Sequence, residues 1–422
     1  MRTSITGTAG LVLTLLCSTL AAAPASAAPA SAPLPVAPSE ATPALRTLLT
    51  DVTGDGRFDR VELTSAGTDR YRLAVTVAGS GKTSAVEFRS ALPADVDADA
   101  ALYGAAAIDG TKGMELIVQH WDRSAMDPYA SLRLSVYTWR GGKLTSERAP
   151  KGGWSSSWRF GDPWSKGQGY HFFDKGGRRY VDVSALTYRS KGPEVWRGKI
   201  TRSVWRKGHW VKVSTRTVKL NYVNARQYLR YSGPNLLQRI MNADFDGDSR
   251  PDELRLYTYQ DNGDQRWYRV KVTTATGKVS TKAFVTIDLD PLLGVTDFDG
   301  AAGAEILAQL TVDYNEMMLL TWRNDKLVVE SRPTASGRAS RTWPLNGDDN
   351  FIQISRSVVD GAVYVDYLDT WFGWSPGDVT RVDHMVWQTD KWVILSSTSN
   401  PISQEQFDAL CQGLCGFTIT NP

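Results

Sequence analysis

The sequence predicts an all-β fold, and three observations carry that prediction. Segments such as "YRLAVTV" at 71–77 and "WYRVKVT" at 267–273 alternate apolar and polar residues with the period of two that a half-buried strand requires. Turn chemistry separates such segments: Asn262-Gly263 lies between the runs 254–259 and 267–272, the spacing of a tight hairpin. Segments with a helical period are nearly absent, and only "ADVDADAALYG" and "ARQYLRYSGPNLLQRIM" leave room for a turn or two of helix.

The strands fall into an internal duplication. "LYGAAAIDGTKGMELIVQ" (102–119) returns as "LLGVTDFDGAAGAEILAQ" (292–309), and "TWRGGKLTSE" (138–147) as "TWRNDKLVVE" (321–330). "YVD" at Tyr180 returns at Tyr364, "SVWRKGHWVKVS" (203–214) as "MVWQTDKWVILS" (385–396), and "DVTGDGRFDRVEL" (51–63) lines up with "DFDGDSRPDEL" (244–254). Five matches in one order divide the chain into halves at 45–225 and 242–400, joined by a connector at 226–241. Each half divides into thirds, because an Asp/Gly loop precedes an apolar strand at 51–63, 107–118 and 172–183, and again at 244–256, 297–309 and 358–367. Six strand-rich units without crossover helices point to radial repetition, a six-bladed β-propeller made of a duplicated three-blade unit. The alternative is two tandem three-unit β domains.

The flanks belong to export and tethering. Residues 1–27 have a basic start, an apolar core and small residues ending at Ala25-Ser26-Ala27, the pattern of a secretory signal. Residues 28–44 are Pro/Ala-rich and read as a linker. No segment is apolar enough to span a bilayer, so a secreted or cell-surface location is expected. The tail 401–422 carries Cys411 and Cys415, the only cysteines after that cleavage, which outside the cell are expected to form a local disulfide.

Charge is unevenly spread. Residues 138–235 hold 21 Lys/Arg against five Asp/Glu, +16, which leaves −13 for the rest of a chain of net +3. A polyanion such as a cell-wall polymer suits that stretch, and a solvated strand face is the plain alternative. No nucleic-acid partner is expected.

The aspartate-rich loops carry the sharpest chemistry. "DFDGDSRPD" places Asp244, Asp246, Asp248 and Asp252 at positions 1, 3, 5 and 9, with the Arg250 carbonyl at position 7. "DVTGDGRFD" offers Asp51, Thr53, Asp55 and Asp59, with the Arg57 carbonyl at position 7. Oxygen ligands at this spacing suit a hard cation, calcium, and the lack of His and Cys disfavours zinc. The pattern resembles the calcium loop of FG-GAP and VCBS-type repeats of integrin-α-like propellers. That resemblance implies a blade-stiffening calcium ion, with ligands bound on other loops. It is close over the two nine-residue loops and slight elsewhere. Thr53 supplies one carboxylate fewer, and Ser249 stands where a glycine is usual. "DFDGAAGAE" keeps Asp297, Asp299 and Glu305 as weaker candidates, with Ala301 at position 5. "AIDGTKGME" keeps Asp109 and Glu115 and reads as a metal-free turn; the loop at 358–366 keeps Asp360 and Asp366.

Other signals are weaker. "GSGKTS" lacks the leading glycine of a phosphate loop and joins two strands. The four histidines show no metal spacing. Trp139, Trp205 and Trp210 recur as Trp322, Trp387 and Trp392 and are expected in cores. Trp154, Trp158, Trp371 and Trp374 lie among Gly, Ser and Pro and are candidates for stacking on sugar rings. The expected function is non-catalytic binding of a carbohydrate or cell-surface polyanion. The alternatives are a polysaccharide hydrolase or lyase acting in a central funnel, and a protein-binding adhesion module.

Overall fold

The computed structural model describes residue 43 onward, with 93–97, 122–130, 155–156, 162–165, 190–194, 262–264, 287–290, 311–315, 335–338, 345–349, 372–378, 389–390, 402–412, 416–418 and 420–422 left undescribed. The signal segment, all but the end of the linker and Cys411 therefore lie outside the described residues. The fold is nearly all β, as expected. Among the described residues there are six meanders of four consecutive antiparallel strands. They run from Ala44–Thr50 to Thr83–Arg89, from Leu102–Ala106 to Lys143–Glu147, and from Lys166–Lys175 to His209–Asn221. The others run from Tyr231–Ala243 to Val279–Thr286, from Leu292–Thr296 to Lys326–Val329, and from Asn350–Val359 to Lys391–Pro401.

Within each unit the turn after the first strand differs in a fixed order. Units one, two, four and five have eight-residue loops, 51–58, 107–114, 244–251 and 297–304. Units three and six instead close on two residues with positive φ, Gly176-Gly177 (58° and 67°) and Asp360-Gly361 (51° and 77°), the mirror-image turn that matches strand twist. Asp360 is thus a hairpin-turn residue, and Asp366 sits in the following strand beside His384. Neither belongs to a loop of the aspartate kind.

The stretch 226–241, read from sequence as a connector, is mostly strand. Among the described residues a single α-helix spans Tyr222–Tyr228, capped by Asn221, whose side-chain oxygen accepts from the Asn224 amide. Tyr231–Ala243 then pairs with the strand Asp252–Asp261 of its own unit. It also pairs with the first strands of two earlier units, at Leu237↔Ala105 and Tyr170↔Tyr231. Units two, three and four therefore share one sheet, so the halves are not separate tandem domains. Arg46 of the first unit joins the same place, donating to the carbonyls of Leu102 and Gln238.

Apolar clusters fill the spaces between neighbours. One joins units one and two around Leu63, Leu73, Leu102 and Val118, and the next joins units two and three around Trp158, Phe160, Tyr170 and Phe172. Leu237 enters the first of these and Leu236 the second. Equivalent clusters join four to five and five to six. Among the described residues none joins six to one, and no pairing closes a ring. No helix among the described residues is long and apolar enough to cross a membrane.

Candidate metal centres

The four long loops share a carboxylate clamp at position 9, and two of them also wrap a carboxylate at position 1. At position 1, Asp51 accepts from the Gly54, Asp55 and Gly56 amides at 2.6–3.1 Å, and Asp244 accepts from Gly247, Asp248 and Ser249 at 2.7–3.1 Å. A carboxylate wrapped this way fixes the bend. Ser249 holds the bend at φ 64°, a left-handed conformation that Gly56 adopts at 86° without a Cβ to crowd.

At position 9 the carboxylate clamps the loop entrance. Asp252 Oδ2 accepts from the Phe245 and Asp246 amides at 2.8 and 3.2 Å, while Oδ1 accepts from Ala275 at 2.7 Å on the next hairpin. Asp59 does the same with Val52, Thr53 and Ala78. In the other two loops a longer glutamate takes the position. Glu115 accepts from the Ile108 and Asp109 amides and from the Thr138 hydroxyl, and Glu305 accepts from the Phe298 amide and the Thr321 hydroxyl. Loops also stack in pairs: the Met114 amide donates to the Asp51 carbonyl at 2.8 Å and the Ala304 amide to the Asp244 carbonyl at 2.7 Å. Gly113 and Gly303 (φ 97° and 105°) make this possible, because a Cβ there would come within 2.6 Å of the Val52 carbonyl oxygen or 2.4 Å of that of Phe245.

Among the described residues three acidic groups have the geometry to hold a cation, their ligand oxygens lying within 4.8 Å of one another: Asp244, Asp246 and Asp248; Asp297, Asp299 and Glu305; and Asp109, Glu115 and Glu147. The first is the intact loop. Burial, then the neighbouring Asp252 and Asp248 carboxylates, raise the Asp246 pKa, whereas the hydrogen bond from Arg250 lowers that of Asp248. The Arg250 guanidinium thus sits where it competes with a cation for Asp248 Oδ2, with Nε at 3.0 Å. Asp252 stands apart from this group, both its oxygens taken by amides. In the first loop, Asp51, Asp55 and Asp59 do not gather as three carboxylates. Thr53 Oγ1 there is shielded from solvent and has no hydrogen-bond partner, an oxygen left over for a ligand.

The third group was missed from sequence, where its loop reads as a metal-free turn. Glu147 arrives from the strand Lys143–Glu147, at the far end of the same unit. Its Oε1 accepts from Trp210 Nε1 at 3.0 Å, and its backbone carbonyl accepts from Trp158 Nε1 at 3.0 Å. Glu330 makes the same two bonds, to Trp392 and Trp343. The repeat carries the signal: Thr138, Arg140 and Glu147 match Thr321, Arg323 and Glu330.

Among the aromatic candidates, Trp158 is 4% exposed and packed in the core, so it is corrected to a structural residue with no ring face for a ligand. Trp154 is 52% exposed, its Nε1 donating to the Gly167 carbonyl and Lys166 Nζ lying 5.9 Å from its ring. Trp374 lies outside the described residues. Trp371 ends a strand and Cys415 lies in another, their side chains, like Cys411, outside what is described.

The basic segment forms the free edge of the large sheet, in the strands Val195–Arg206 and His209–Asn221. Arg197, Lys199 and Thr201 line one face, opposite Lys219, Thr217 and Thr215. The two charges Arg197 and Lys219 sit directly across from each other and are exposed, as are Lys212 and Arg216; among the described residues none of these, nor Lys199, has a carboxylate partner. The loop bearing Trp154 lies on the same row, because Gly152 packs against Thr201. The chain matches no family model and no curated protein, so the functional reading rests on this arrangement.

Proposed function

We propose that this is a secreted, calcium-stabilised, non-catalytic binding protein whose ligand is an anionic polysaccharide or cell-wall polymer. The observation that carries it is the exposed row Arg197, Lys199 and Lys219, which ends at the loop of Trp154. Like charges directly across a strand pair are destabilising unless a counter-charge meets them. A polyanion supplies that charge, and a sugar ring has the flat apolar face that an exposed indole takes. Calcium at Asp244, Asp246 and Asp248, and at Asp51, Thr53 and Asp55, stiffens the loops, in line with the resemblance to FG-GAP and VCBS-type repeats. A ring of six four-stranded blades is the arrangement that resemblance favours.

The test is retention on immobilised polyuronate against a neutral glucan, at 50 and 500 mM salt. Retention on the polyuronate alone, released by salt and lost in Lys199→Glu/Lys219→Glu and in Trp154→Ala, is the expected outcome. Equal retention of both polymers, or none, refutes the reading. Calcium is tested separately by Asp248→Ala, which is expected to remove most of the calcium-dependent rise in Tm.

A further inference from the structure

The basic face of unit three has an order finer than its net charge. From the inner strand outward, Lys166 stands opposite Thr187, Thr187 opposite Arg197, and Arg197 opposite Lys219. Directly paired residues point to one face, so these four form a row that crosses the strands. At about 4.8 Å per strand the row is ~14 Å long, and it ends at the free edge of the sheet. Lys166, like Arg197 and Lys219, is exposed and has no carboxylate partner among the described residues.

Trp154 stands at the inner end of this row. Its loop lies directly on the sheet: a Cβ at Gly152 would come within 2.4 Å of Thr201, and one at Gly153 within 2.3 Å of Gln168. The Trp154 amide donates to Gln168 Oε1 at 2.7 Å, and its indole Nε1 donates to the Gly167 carbonyl at 3.0 Å. Gln168 is itself buried, and its Nε2 donates to the Tyr170 hydroxyl at 2.6 Å. An indole tied down twice yet 52% exposed is already ordered for a ligand that stacks on it. Lys166 Nζ, 5.9 Å from the ring centre, lies at the limit of cation–π contact and leaves its charge open to a stacked ligand.

The duplicate is an internal control. Counted from the same turns, Asn350 faces Trp371 in unit six where Lys166 faces Thr187, and Val379 faces Pro401 where Arg197 faces Lys219. Lys199 does have a cationic counterpart, Arg381, but Arg381 pairs with Asp383 at 2.7 Å, where unit three has Thr201. The fold therefore does not need these cations, and unit three carries them without a counter-charge. We infer that Trp154 and Lys166 form a subsite for one acidic sugar, from which Arg197 and Lys219 lead the glycan outward across the strands. The indole takes the ring and the ammonium its acid group. This rests on the polymer reading above and narrows it: the ligand carries its acid groups on sugar rings, and a polyanion without rings does not replace it.

The experiment titrates the full chain calorimetrically with polygalacturonate and with poly-glutamate of equal charge, both carboxylate polymers, of which only the first has rings. Polygalacturonate is expected to bind about tenfold more tightly, and Trp154→Ala to remove that preference while leaving the poly-glutamate affinity within about twofold. Lys166→Asn is expected to weaken polygalacturonate about fivefold. Arg216→Asn loses the same charge from the opposite face, where Arg216 pairs with Ile200, and is expected to change it less than about twofold. Equal affinity for the two polymers, tighter binding of poly-glutamate, or equal losses in Lys166→Asn and Arg216→Asn overturns the subsite and leaves a polyanion-binding face. Binding of neither polymer removes both readings. Should Trp154→Ala fail to fold, the comparison of Lys166→Asn with Arg216→Asn decides.

Discussion

Asp252 offers a test that separates a loop clamp from a metal ligand. It is 1% exposed, and its two oxygens accept three backbone amides, from Phe245, Asp246 and Ala275. At the low end of about 1.5 kcal/mol for each bond to a charged acceptor, Asp252→Ala costs roughly 4–5 kcal/mol, and the orphaned amides add to that. With an unfolding entropy of about 2.1 cal/mol/K per residue over ~380 residues, each kcal/mol lowers Tm by roughly 1.3 °C, so the expected drop is about 5–6 °C. Asp252→Asn keeps the shape and turns one acceptor into a donor facing an amide, which is expected to cost about half as much. The assay is calorimetric unfolding in excess chelator. A clamp loses stability without calcium, whereas a pure metal ligand loses it only when calcium is present. A Tm for Asp252→Asn within about 1 °C of wild type in chelator would refute the clamp.

Three further outcomes are expected. Ser249→Gly removes a Cβ from φ 64° and should raise stability by about 1 kcal/mol, a Tm rise of 1–2 °C; a fall would show that the Ser249 side chain holds the bend. Arg266→Met leaves Asp261 buried beside Tyr103 without its guanidinium, at a cost of about 3–5 kcal/mol read in denaturant unfolding. In chelator, Glu147 ionises near 4.5 in the unfolded chain and holds its proton to about 8 in the folded one. Its contribution to stability is therefore fully present below pH 4.5 and lost as the pH rises to 8, while Glu147→Gln does not titrate. The Tm of wild type relative to that variant should fall between pH 5 and 8, and a rise would contradict the assigned burial.

Much of this fold was legible from one residue type at a time. Period-two alternation found strands such as Arg70–Thr76 and Arg266–Thr273, because each has one face in the core and one in water. The aspartate spacing located the loops, because wrapping a carboxylate in amides demands Asp at position 1 and a carboxylate at position 9. What escaped depends on partners far away in sequence. Glu147 looks like an ordinary strand-end glutamate until Trp210 and Asp109 are brought to it by the turn of two units. Trp158 sits among glycines and serines, the composition of a loop, yet begins a strand that fills the core between units. Tyr231–Ala243 contains Gly and Pro and lacks alternation, because it is bounded by protein on several sides and no face of it reads as solvent.

That strand also fixes an order of assembly. Leu236 and Leu237 complete two apolar clusters whose other buried members, Tyr231 apart, all precede Ala225. A polypeptide emerging from its N-terminal side therefore holds two unfinished apolar clusters until residue 243 is free to dock. A fragment ending at 225, the seam between the sequence halves, lacks the residues that cover those clusters. One ending after Thr286 carries its own closing strand. The seam left by duplication and the strand that covers the clusters of the first half therefore do not coincide: that strand lies beyond the seam.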